Sequence, residues 1–199
     1  MAVSNPLIAL HHGPVAGLRD ALRIATADAH AALDASLSDA LTTRGDYVAF
    51  LRANRDAALA TAAALARVGI ADARIRVAAI ESDLGELGAA SDAERAAPVA
   101  DAGTASDWGT AYVVEGSALG GRVLADALGA RLALDDRALS FLRLRGEEAG
   151  RAWRAFVARL DAFGAHASDD EIARTVIAAH DAFALYARAF AARGLGAAA

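Results

Sequence analysis

Apolar residues recur at three- and four-residue steps along most of this chain, and that period commits it to helices. In 15–41 the stripe runs Leu18, Leu22, Ala25, Ala29, Leu33 and Leu37, and in the next segment Val48, Leu51, Ala58, Leu59, Ala62 and Leu65. Such spacing puts side chains on one face of a helix, whereas a half-buried strand alternates at every second residue. Proline occurs only at positions 6, 14 and 98, and aromatic residues make up 6% of the chain, which also disfavours sheets. The predicted fold class is all-α.

Caps and turns divide the pattern. Pro14 suits the first turn of the first helix, where its missing N–H costs nothing. Gly45 marks a turn with Asp46 as N-cap of the second helix, which runs to Gly69. A third segment starts with Asp72 as cap and continues to about Leu87, after which 88–106 is weakly patterned, holds Pro98 and reads as a connecting loop. Another helix starts at Ser106 or Asp107 and ends near Gly129. The stretch 134–167 reads as a helix with a break at Gly146, and the last helix opens on a capping box, Ser168 with Glu171, and closes near Gly194. Six or seven helices without a convincing strand predict a helical bundle or a bent helical sandwich. With 199 residues, 14–194 is expected as a single domain, 1–13 as a flexible N-terminal segment and 195–199 as a flexible tail.

Composition narrows the chemistry. There is no cysteine, which excludes disulfides, thiolate catalysis and cysteine-ligated zinc or iron–sulfur centres, so any metal must be held by nitrogen or oxygen. The net charge is −5 and the 20 Lys and Arg form no basic stripe, so no nucleic-acid partner is expected. The N-terminus lacks a positive n-region and "PLIAL" is too short for a signal peptide or a span, which predicts a cytoplasmic protein with no membrane partner.

Two features remain to be explained. His30 lies in the first helix with Asp34 one turn further on, at the spacing that shares a face. Asp34 is placed to accept a hydrogen bond from the ring nitrogen that a metal leaves free, as metal-ligating histidines usually require. Arg23, two turns before His30, is placed to pair with a carboxylate about 10 Å along the helix. His11 and His12 in the first segment and His166 beside Gly164 read as loop residues, and His180 as a packed boundary residue. The second feature is "YVVEGSALGGRVL", 112–124, where Gly116, Gly120 and Gly121 each cost about 1 kcal/mol against alanine inside a helix. They bare backbone along one side, either for close packing of another helix or for a flat cofactor. The apolar positions Val113, Val114, Leu119, Val123, Leu124 and Leu128 recur there at spacings a helix would use.

"LRIATADAHAALD" and "YVVEGSALGGRVL" together resemble the haem oxygenases, and Glu-Gly-Ser-x-Leu-Gly-Gly, Glu115 to Gly121, resembles the branch found with bacterial phytochromes. The resemblance implies His30 as proximal iron ligand, with Asp34 holding its free ring nitrogen. It implies a distal helix kinked at Gly116, Gly120 and Gly121, with Ser117 where related enzymes carry an aspartate that orders water, and Tyr112 among the haem contacts. Arg23, and Arg154 in "GRAWRAF", would pair with the haem propionates. The activity implied is oxidative cleavage of haem b, at once substrate and cofactor, by dioxygen to biliverdin, carbon monoxide and ferrous iron. No flavin or nicotinamide motif is present, so electrons would come from a separate reductase or ferredoxin, and a bacterial phytochrome would be the recipient of biliverdin. A haem protein that stores, transfers or senses haem would use the same His30 and the same glycines. A thiaminase-like enzyme lacks its usual cysteine here, and a di-iron oxygenase needs Glu-x-x-His sets that the chain does not contain.

Overall fold

The computed structural model describes residues 17–70, 73–90 and 103–196. Among these, seven α-helices follow one another without a strand: α1 (Leu18–Ala25), α2 (Ala27–Ala40), α3 (Arg44–Arg67), α4 (Ala73–Glu86), α5 (Thr104–Leu132), α6 (Ala149–Gly164) and α7 (Asp169–Ala191). The all-α expectation holds. The longest helix, α5, lies along α7 and also touches α3 and α6, so most of the architecture is built around it. Gly109 makes the α5–α7 approach possible, because a Cβ there would sit 2.1 Å from the Thr175 carbonyl oxygen.

The core is drawn mainly from α3, α5 and α7. Tyr47, Leu51 and Leu65 are fully buried on α3 beside the small residues Ala53, Ala57 and Ala64, which let neighbouring helices come close. Ile80, Leu84, Leu128, Leu139 and Leu160 complete the same cluster, each large aliphatic side chain contributing about 1.5–3 kcal/mol by burial. By contrast, α2 contains no buried residue. Leu33 and Leu37 only lean on the core from its edge.

The structure revises several boundaries. The first helix is interrupted at Thr26, a buried residue whose hydroxyl donates to the Leu22 carbonyl at 2.8 Å, so it becomes α1 and α2. A threonine that back-bonds in this way bends a helix without a proline or glycine. Thr43, not Asp46, is the N-cap of α3; Asp46 is its reciprocal partner three residues on and accepts from the Thr43 backbone N–H at 2.7 Å. Helix α5 begins two residues earlier and ends three later than expected, closing on Ala133 at φ 51°. The capping box at Ser168 and Glu171 is present, and Gly69 and Gly194 end their helices at positive φ. The expected caps at Pro14 and Asp72 and most of the 88–106 loop lie outside the described residues.

The largest revision concerns 134–148, which is not an α-helix: it folds as turns with 3-10 segments at Asp136–Ala138 and Gly146–Glu148. Asp83, fully buried on α4, accepts the backbone N–H groups of Ser140 and Phe141, both at 2.9 Å. Tyr47 donates its hydroxyl to the Ala138 carbonyl at 3.0 Å. Backbone groups that a helix would have paired internally are thus taken by side chains from α3 and α4. Burial pushes the Asp83 carboxyl above its ordinary value, and the two backbone N–H donors oppose that shift.

Candidate haem site

The expected site residues lie on α1, α2, α5 and α6. Tyr112 on α5 is half-buried against Trp153 of α6, ring centroids 5.8 Å apart, and meets Thr26, the residue between α1 and α2. Burial pushes the Tyr112 hydroxyl up, while a hydrogen bond with Thr26 and the charges of Arg19 and Arg23 oppose it. One helical turn beyond this contact on each side come His30 and Gly116, since 26 to 30 and 112 to 116 are both four-residue steps.

His30 has a side chain 64% exposed, stands against the Phe183 ring of α7 at 5.8 Å, and places Nε2 3.5 Å from Asp34 Oδ2. The pairing of His30 with Asp34 is therefore geometric as well as sequential, although 3.5 Å is long for a hydrogen bond. On α5 the three glycines do not do one job. A Cβ on Gly120 would meet nothing within 4 Å, and one on Gly116 would rest 3.6 Å from the edge of Trp153. On Gly121 it would strike the Leu142 carbonyl oxygen at 2.4 Å. Gly120 thus bares backbone to open space, Gly116 lies beside Trp153, and Gly121 serves close packing against the turn segment. The helix runs through all three without interruption.

The apolar stripe of α5 divides in the same way. Val113, Val114 and Leu128 are buried, but Leu119 is 42% and Val123 74% exposed. Leu119 and Val123 sit three and seven residues after Gly116, so they share the exposed side of the helix with Gly120. Ser117 is exposed, and its hydroxyl donates to the Val114 carbonyl at 2.8 Å.

Arg23 and Arg154 project from α1 and α6, two helices packed on each other. Both are exposed; Arg23 Nε stands 3.6 Å from Asp20 Oδ1, and Arg154 has an Nη1 beside Gly150. His166 and His180 are exposed too, so His180 is not the packed residue expected, and His11 and His12 lie outside the described residues. Among the described residues no three His, Cys, Asp or Glu side chains converge to hold a metal ion. A lone histidine suffices only for a metal that brings its other ligands, as a porphyrin iron does. The residues present fit such a ring: an exposed histidine on α2, exposed apolar side chains beside Gly120 on α5, and exposed arginines on α1 and α6.

The family model described as heme oxygenase matches residues 16–192. The chain belongs to the heme oxygenase family. A heme oxygenase of Xanthomonas campestris pv. campestris (strain 8004) is 42% identical over 88 residues, 44% of this chain and 52% of that protein, so the match spans about half the relative's length. The NO- and CO-bound heme oxygenase of Neisseria meningitidis superposes with a TM-score of 0.76 at 24% identity, covering 92% of this chain and 95% of that one. That likeness gives the fold independent support: an all-helical heme oxygenase architecture.

Proposed function

We propose that this chain cleaves haem oxidatively to biliverdin, carbon monoxide and ferrous iron, with dioxygen and electrons from an external reductase or ferredoxin. The observation that carries the reading is an exposed histidine, His30, paired with Asp34 one turn on, in a fold whose α5 leaves Gly120 against open space. Haem supplies the redox chemistry when bound. The residues do the orienting. His30 would hold the iron and Asp34 would fix the imidazole's orientation, giving up its contact with Nε2 if that nitrogen took the metal. Arg23 and Arg154, both exposed, fix in-plane rotation through the propionates.

On the distal side Gly116 and Gly120 let the ring approach main chain, and Leu119 and Val123 exclude water from its edge. Ser117 can hold or pass a proton at its hydroxyl once that hydroxyl turns from Val114. Tyr112 packs at the margin beside Trp153. Among the described residues no helix is long and apolar enough to cross a membrane. A cytoplasmic setting, with a bacterial phytochrome receiving the biliverdin, accords with the Glu115–Gly121 motif.

Absorption titration with hemin, followed by reductant in air, tests the reading. The native protein forms a histidine-ligated Soret band that decays into the broad red absorption of biliverdin, and His30→Ala weakens hemin binding by more than about 100-fold. A band that persists under turnover would leave a haem carrier; no band at all would remove haem from the account.

A further inference from the structure

The side of α5 that carries Glu115 is gripped by charge. Glu115 is 4% exposed and immediately precedes Gly116. Its Oε1 accepts from Arg76 Nη2 at 3.0 Å and Arg145 Nη2 at 2.9 Å, and Oε2 lies 2.9 Å from the same Arg145 nitrogen. Arg76, itself buried, comes from α4, and Arg145 from the turn segment between α5 and α6.

The same two elements hold each other and hold α5 again. Asp83, seven residues and thus two turns beyond Arg76 on α4, binds the backbone N–H groups of Ser140 and Phe141. The next residue in that segment, Leu142, sets its carbonyl against Gly121. Glu115 and Gly121 therefore bracket the open stretch 116–120 from behind. A buried carboxylate between two guanidinium groups is poor evidence of net stabilisation, because desolvation offsets the attraction, but it fixes geometry and penalises the loss of any one member.

We propose that the Arg76–Glu115–Arg145 cluster is a positioning device that sets the rotation of the glycine face of α5, and through it which edge of the porphyrin is presented for cleavage. The inference rests on the haem-cleavage reading. Glu115 touches no substrate; it acts through Gly116 and Ser117, its neighbours in the helix. A displacement of about 1 Å at a reacting centre is enough to change a rate by about 100-fold, so a small rotation redistributes attack among the meso carbons.

Glu115→Gln retains the shape and removes the charge, and Arg145→Met removes one donor while leaving the Arg76 pair. Both are to be compared with native protein by backbone hydrogen exchange without hemin, by hemin titration and by chromatography of the biliverdin isomers. We expect exchange at 116–121 to become about tenfold faster with α3 unchanged. Hemin affinity stays within about threefold, while the isomer ratio moves by about threefold or more. Arg145→Lys, which restores a cation, returns the ratio towards native. A folded, hemin-binding Glu115→Gln with native exchange at 116–121, or with an unchanged isomer ratio, overturns the proposal. Should Glu115→Gln fail to fold, Arg145→Met decides by the same readouts. If native protein makes no biliverdin, the haem-cleavage reading falls by itself. The clamp is then judged by exchange and the ferric-hemin spectrum: both altered supports it, and either at native values sinks it.

Discussion

Helices α2 and α3 are both rich in alanine, but α3 buries twelve of its residues and α2 none. The difference is one of partners rather than composition. Alanine faces on α3 meet α4, α5 and α7, while α2 packs chiefly on α7 and α1. An isolated helix of 14 residues is marginal in water, so α2 depends on what packs against it. The helix that carries His30 is thus the less tightly packed of the two.

The largest expected effect is on that imbalance. Hemin at about a thousand times its Kd should stabilise the protein by about 4 kcal/mol, read as a raised Tm. Backbone exchange should slow in α2 and change little in α3; if saturating hemin leaves α2 unprotected, the contrast between the two helices has nothing to do with the ligand. A second measurement divides the two sides of α5. Gly121→Ala should lower stability by about 1–3 kcal/mol, since the new methyl meets the Leu142 carbonyl, and an unchanged Tm would show that the back of α5 is loosely held. The smallest effect has the opposite sign. Gly120→Ala should stabilise the hemin-free protein by up to about 1 kcal/mol through helix propensity, because its Cβ meets open space, yet weaken hemin binding. Equal behaviour of the two alanine variants in both assays would erase the distinction between the faces.

Local signals were legible wherever the physics is local. The 3.6-residue period revealed an all-α chain, the Ser168–Glu171 box marked the start of α7, and the four-residue step put Asp34 beside His30. Partners distant in sequence were not legible. Leu134, Ala138 and Leu142 stand at the four-residue steps that a helix would use, but Asp83, 57 and 58 residues away, captures the backbone N–H groups of Ser140 and Phe141 and holds the segment in turns. Adjacent glycines looked equivalent until Leu142 was found behind one of them. Thr43 and Asp46 are both good capping residues three apart, and only the reciprocal hydrogen bonds tell cap from partner. Leu119 and Val123 have the chemistry of core residues, and nothing local says that they stand exposed.

The uninterrupted run of α5 has a consequence for how its gene can change. Gly109 meets α7, Glu115 meets α4, Gly116 meets Trp153, Gly120 meets open space and Gly121 meets the turn segment, all on one continuous helix. Each residue of an α-helix advances the face by about 100°. Deleting or inserting a single codon between 110 and 114 would keep every one of these residues and still turn those after it away from the partners they meet relative to Gly109. Lineages of this chain should therefore vary freely in length elsewhere while this helix drifts by substitution alone.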